Sequence, residues 1–369
     1  MNTTFKVPLY SKLSQILLGI AILFFILYIG QAIIIPIIFS FILAILLDPI
    51  VNFLCKKKVN RFVAILITIL LAIFCLAALI YFISSQVMMF SDMLPQLEEK
   101  INILINQSIQ WTSQIFNVST EKINEWLVQI QKEVSTTGKS LIGPTILSVG
   151  GLIVVFLLLP VYIFLILWYK LLFLEFISKL FLAEKHKTVT EILVESKLLI
   201  QNYLIGLLTE TGIIAVLNTL GLIILGIEYA VLLGVIGALL NIIPYIGGIV
   251  AMALTIIIVL ATKPPIYALW VLLLFGFIQF MDNNVIVPKI VASKIKINEF
   301  ISIVAVLVGG ALWGIPGMFL SLPLVAILKV IFDRIEPLKP FGFLLGNNMS
   351  YSEKGLLKFS KRKVKVSNS

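Results

Sequence analysis

Metal and thiol chemistry have almost no material in this sequence. It carries one histidine, His186, and two cysteines, Cys55 and Cys75. A single histidine makes no metal pair. The cysteines stand at a basic boundary and inside an apolar run, with no ligand spacing and no basis for a disulfide. Charge is scarce too: 12% of the 369 residues are Asp, Glu, Lys or Arg. No soluble basic domain is present to turn the formal net charge of +10 toward nucleic acid. That excess reads as topology, because cytoplasmic loops collect Lys and Arg. Thr136-Thr137-Gly138-Lys139-Ser140 hints at a phosphate loop. Such a loop needs a glycine where Glu133 stands and a strand before it, and it has neither. A membrane serine protease needs a Ser–His pair in its core, yet His186 lies in a charged stretch. The expectation is a protein that is not an enzyme, with no cofactor, no metal and no nucleic-acid partner.

What is abundant is apolar sequence: 60% of residues are hydrophobic and the mean hydropathy is +1.11. Water cannot solvate that composition, so lipid must. The fold class is therefore all-α, a polytopic transmembrane protein with broken or re-entrant helices in its C-terminal core and amphipathic surface helices. Apolar runs at 16–29 and 32–47 follow Lys6 and Lys12 with no small-residue cleavage pattern between them. They read as an uncleaved helical hairpin turning at Gly30-Gln31. Lys56-Lys57-Lys58 and Arg61 mark a cytoplasmic loop, and 62–83 is a third span. The stretch 86–141 turns polar, with apolar residues at three-or-four spacing, as amphipathic helices outside the cytoplasm. Its sequons at Asn106 and Asn117 are short enough to arise by chance. Residues 146–169 make a fourth span, kinked at Pro160. An amphipathic helix on the inner surface is expected over 171–201, then a fifth span over 203–225.

The divisions are thus 1–85 for spans one to three, 86–145 for the outer segment and 146–170 for span four. The cytoplasmic amphipathic helix takes 171–202, a motif-rich transport core 203–336, and a basic cytoplasmic tail 337–369. Both termini are placed inside a multi-pass cell (inner) membrane protein.

The core contains the informative breaks. Runs at 230–243 and 246–261 are each shorter than a crossing and flank Asn241-Ile242-Ile243-Pro244-Tyr245-Ile246-Gly247-Gly248. Pro244 deprives the carbonyl near Leu240 of its helical donor. A broken backbone at membrane depth survives only inside protein or beside a wet cavity. Asn241, Pro244, Tyr245, Gly247 and Gly248 are therefore candidates for a substrate path, with a packing-only kink as the bland alternative. Gln279 and Asn283, four apart at the end of 266–281, are expected to meet this break. Glu210 and Asp282 are the carboxylates best placed for ion or proton coupling. For Asp282, capping a helix end is a competing role. A second short pair, 300–312 and 318–330, meets at Gly309, Gly310, Gly314, Pro316 and Gly317, read as hinge and packing positions. Two re-entrant pairs entering from opposite sides, or four tilted spans, both fit.

Three motifs carry a family resemblance. They are Asn241-x-x-Pro244-Tyr245-x-Gly247, Asp282-Asn283-Asn284-x-x-x-Pro288-Lys289, and the run from Val308 to Met318 that reads VGGALWGIPGM. Together, in this order, they resemble the autoinducer-2 exporter family of bacterial membrane proteins over residues 13–336. The resemblance implies a secondary transporter of the inner membrane and a homo-oligomer, with membrane lipid and a small molecule or cation as partners. It implies export of a small polar, autoinducer-2-like signal, or else sodium or lithium/proton antiport. A non-transporting membrane scaffold is the reading from another class.

Overall fold

The computed structural model describes residues 8–91, scattered positions between 99 and 129, and residues 149–243, 246–290 and 297–346. The outer amphipathic segment, Asn117, the 136–140 stretch and the basic run at 361–365 lie largely or wholly outside these residues. Among the described residues the chain is helical, and the only bridge of strand type pairs Ile297 with Gly346. The N-terminal helices are α1 (Leu9–Ile29), α2 (Gln31–Lys56) and α3 (Arg61–Ser91). Next come α4 (Val149–Trp168) and α5 (Lys170–Leu180), bent by 64° at their junction. The core is α6 (His186–Ile224), α7 (Ala230–Asn241), α8 (Ile246–Thr262) and α9 (Ile266–Met281). A π-helical turn at Asp282–Ile286 and the short α10 (Val287–Ile290) extend α9. Finally α11 (Glu299–Arg334) and α12 (Lys339–Leu345) close the described chain. Six helical stretches are long and apolar enough to cross a bilayer. The chain is a multi-pass membrane protein.

α6 is the hub. It packs against α2, α7, α9, α10 and α11. Its buried face runs through Tyr203, Leu207, Glu210, Ile214, Asn218 and Leu222, the three-or-four spacing of one helix face. At 39 residues it is roughly 58 Å long, far more than one crossing needs. The surface helix expected over 171–201 is therefore corrected. Only α5 and a short 3₁₀ turn at Ala183–Lys185 stand apart, and from His186 the helix runs on past position 202 into the span. The reason is local: from Lys187 to Asn202 the sequence has no Gly or Pro to stop a helix.

The hairpin expected at Gly30 is also corrected. α1 leaves nearly its whole length exposed, including Leu13, Phe24 and Phe25. A packed hairpin would bury one face. Gly30 instead keeps near-helical bonding, its N–H reaching the Ile26 carbonyl at 2.8 Å, so the chain bends there and does not fold back. The tail reading is corrected at its start. α12 docks on α11, with Gly342 close against Asp333 and Asn298 Nδ2 donating to the Leu344 carbonyl at 2.7 Å.

The two short pairs of the core are helical hairpins. In the first, α7 and α8 fold together: a methyl placed on Gly247 would stand 1.7 Å from the Leu240 carbonyl oxygen, and Gly237 faces Ala251. In the second, α11 folds on itself at Gly314, whose φ of 63° and ψ of −143° suit glycine. A methyl on Gly317 would stand 2.0 Å from the Gly309 carbonyl oxygen. In a straight helix these residues would be roughly 12 Å apart. α11 is therefore two arms, 299–313 and 315–334. Pro316 falls in the first turn of the second arm, where a missing N–H costs no bond.

The hairpins approach α6 from opposite ends. The base of the first, at Ala230 and Val259, shares a core cluster with Leu222. The base of the second is held by Arg334, which pairs with Glu191 and, at 2.6 Å, with Glu195. Its tip is fixed by Trp313, whose indole N–H donates to the Leu27 carbonyl at 2.9 Å.

Candidate functional site

Pro244 and Tyr245 lie outside the described residues, while Ile243 and Ile246 on either side of them are described. The Leu240 carbonyl, deprived of its partner by Pro244, is not left free. It accepts the Ile243 N–H at 3.0 Å, a tighter turn than the α-helical one. Its other side is covered by Gly247. Backbone satisfaction at this tip is thus local, and the side chains beside it are released for other work.

Those side chains converge on the π turn that follows α9. Asn241 Nδ2 donates to Asp282 Oδ2 at 3.1 Å. Gln279 Nε2 points to the same oxygen at 3.5 Å and to Asn283 Oδ1 at 3.3 Å. Gly248 packs against this amide layer: a methyl there would stand 2.4 Å from Gln279 Oε1. Gln279 meets the break as expected, whereas Asn283 is exposed and, among the described residues, reaches only Gln279 of its own helix. The chain does not unwind at Asp282 but widens by one residue into a π turn. Pro288 supplies the cause, since its ring displaces the carbonyl of Asn284, four residues earlier. Asp282 makes no capping bond; its carboxylate turns across to the hairpin tip.

α6 supplies the remaining wall. Glu210 is 7% exposed, Asn218 3% and Asp282 2%. Among the described residues none of the three has a basic partner, and Glu210 is near enough to Asp282 for their charges to interact. Thr211 Oγ1 donates to the Leu207 carbonyl of its own helix at 2.8 Å. The residue that shares Asn218's buried face is Glu210. A cavity of about 10 Å³ lies between α6, the first hairpin and α9, lined among others by Asn218, Asn241, Gly248, Gln279 and Asp282. Oδ1 of Asn218 and Oδ1 of Asp282 are buried without a hydrogen-bond partner.

The glycine set of the second hairpin is elsewhere. Gly309 faces Gly317, and Gly310 meets Met318. Gly314 is the fold point and not a packing partner of Gly310. None of them lines the cavity beside Asp282.

Two residues of interest lie outside the candidate sites that the sequence offers. Asn218 was visible as a polar residue in a span, and its distance of eight from Glu210 was the signal that both share one face. Asp48 gave no signal beyond closing an apolar run. It is 4% exposed and holds two lysines, Lys170 at 2.8 Å and Lys197 at 2.5 Å, tying α2 to the start of α5 and to α6.

Opposed helical hairpins packed on α6, the first with its tip against a buried carboxylate, inside a bundle that crosses the membrane several times, suit a membrane transporter. Comparison with known proteins makes the class specific: the model of the AI-2E family of transporters matches residues 17–336, and the chain belongs to that family. YueF of Bacillus subtilis, provisionally named a transport protein, is 26% identical over 309 residues, covering 81% of this chain and 83% of its own. YhhT of Escherichia coli, named in the same way, is 24% identical over 322 residues, with coverages of 85% and 88%. PerM of Escherichia coli, provisionally named a permease, is 23% identical over 206 residues, covering 55% and 58%.

Proposed function

We propose that the chain is an ion-coupled secondary transporter in which Asp282 and Glu210 carry the coupling charge. One observation carries this reading. Asp282 is buried beside the tip of a broken hairpin and Glu210 is buried on α6 within reach of its charge, with no basic residue paired to either among the described residues. A carboxylate held away from water needs a counter-charge, and a proton or a cation is the one that can come and go. The Asn241–Asp282 bond links the hairpin tip to α9, so occupancy at Asp282 is felt directly by the element that has to move.

The cargo in this reading is a small polar molecule of the autoinducer-2 kind. Asn241, Gln279 and Asn283 offer donors and acceptors for it, together with Pro244, Tyr245, Gly247 and Gly248 at the tip. The second reading, sodium or lithium/proton antiport, is favoured by the size of the cavity, which accepts about one water-sized particle. Proteoliposomes loaded with a candidate panel, with and without an imposed pH gradient, test both. Transport driven by the gradient in the parent and lost in Asp282→Asn supports ion coupling. Transport that ignores the gradient overturns it.

A further inference from the structure

We propose that the bend between α4 and α5 binds an anionic phospholipid. Arg61, Lys170 and Lys197 hold its phosphate, and its acyl chains lie along Phe62, Trp168 and the apolar surface of α5. None of these residues lines the cavity beside Asp282.

Charge at the bend is out of balance. Lys170 and Lys197 both close on the one carboxylate of Asp48, at 2.8 and 2.5 Å. Arg61 joins them from α3. Its guanidinium donates at 2.7 Å to the carbonyl of Leu167, three residues before Lys170. Three cations thus share one anion, and two positive charges are left over. Asp48 is buried, but the side chains of Lys170 and Lys197 stay 33% and 35% exposed. The bond to Leu167 uses one of the five N–H donors of Arg61, whose planar fork suits a phosphate. A basic pocket between helices at a membrane boundary is a pattern that takes anionic headgroups.

The surface next to these cations suits hydrocarbon. Phe62 follows Arg61, Trp168 follows Leu167, and the two rings meet edge to face at 6.0 Å. Phe164 completes the group, stacked on Trp168 at 6.2 Å. An amphipathic indole is at home where acyl chains give way to headgroups. The 64° bend then turns α5 out of the line of α4. α5 buries none of its residues, and Leu171, Leu172 and Phe176 are each more than half exposed. Leu171 follows Lys170 directly, so apolar cover and phosphate are called for at one place.

Charge selects the occupant. A second copy of this chain, with a formal net charge of +10, would add positive charge to a positive surplus. A zwitterionic lipid brings a cation with its phosphate and leaves the surplus as it was. An anionic phospholipid answers the two free charges and covers α5 with the same molecule.

The test weighs the purified full-length chain by native mass spectrometry, in detergent with equal amounts of phosphatidylglycerol and phosphatidylcholine. The parent is expected to retain phosphatidylglycerol in preference, by at least about tenfold. The double variant Arg61→Gln, Lys170→Gln is expected to abolish that preference, at roughly fivefold for each cation removed. Lys197 still answers Asp48 in this variant, so no buried charge is orphaned. Its elution profile and its melting temperature in phosphatidylcholine establish that it is folded. If it does not fold, Lys170→Gln alone takes its place, with a loss of about fivefold expected. Arg61→Lys with Lys170→Arg keeps both charges and should keep the preference. Lys179→Gln, on the same helix but paired with Glu175, should behave like the parent. A parent with no preference, or a folded glutamine variant with parent-like preference, overturns the site. An equal loss in Lys179→Gln reduces it to a general charge effect and overturns it too. So does an oligomer that carries neither lipid, which assigns the surface of α5 to a second copy.

Discussion

The two hairpins of the core solve one backbone problem in the same way and then differ at their tips. In each, a helical arm must turn back within the bundle, and in each a glycine is pressed against a carbonyl of the opposite arm, Gly247 on Leu240 and Gly317 on Gly309. Lipid offers no hydrophobic drive for helices to associate, so close backbone contact is a main source of attraction between them. The tips then part company. The first is polar, with Asn241 bonded to Asp282 and Gln279 beside Gly248. The second is apolar and aromatic, with Trp313 packed among Leu204, Leu207 and Leu320 and tied to Leu27 on α1. The difference teaches that a re-entrant hairpin is not in itself a site. The same turn serves as an anchor when its tip is satisfied, and as a candidate site when its tip leaves buried oxygens unanswered.

The strongest way to test this comparison is to break the shared part. Gly247→Ala and Gly317→Ala each drive a methyl into a backbone carbonyl that has nowhere to go. Both should lose on the order of 3 kcal/mol or more of stability, read as a drop in melting temperature and in the monodisperse fraction. Gly212→Ala and Gly276→Ala, where a methyl meets nothing within 4 Å, should behave like the parent. Equal losses at all four would show that the close contacts are incidental.

Next comes the part that differs. Asp282→Asn should cut transport by about a hundredfold, equivalent to roughly 2.7 kcal/mol, at parent-like folded yield. Glu210→Gln should act in the same direction and flatten the response to an imposed pH gradient. If Trp313→Phe removed transport as thoroughly as these, the division into an anchoring tip and a working tip would fail.

A smaller effect is expected at the turn of the second hairpin. Gly314→Ala forces a side chain into a backbone region that suits glycine, costing roughly 1–3 kcal/mol. Thermal unfolding should report it, and transport per folded molecule should be kept. The smallest effect belongs to Trp313→Phe itself. It removes one N–H donor to the Leu27 carbonyl and should cost about 1 kcal/mol, with the ring packing largely retained.

Much of this architecture can be read from the chain before folding. Apolar run lengths dictate spans, because a bilayer of fixed thickness demands about 20 apolar residues to cross it. Breaks at Pro244 and at the Gly309–Gly317 cluster announce hairpins, because proline and glycine act within a few residues of themselves. Asn241, Gln279 and Asp282 stand out for the same reason, since polar groups in such sequence are costly wherever the helix points. What the sequence cannot hold is which of these meet. That Asn218 faces the cavity depends on how α6 sits against α7, where Gly234 is pressed on the backbone of Thr219. That Asp48 is the anchor of Lys170 and Lys197 depends on three helices meeting at one end. That α1 bends away while α11 folds onto itself depends on which partner faces each glycine, Gly30 or Gly314. Local sequence decides where a helix can bend. Only packing decides whether it does, because the free energy that settles the choice lies in contacts between residues far apart along the chain.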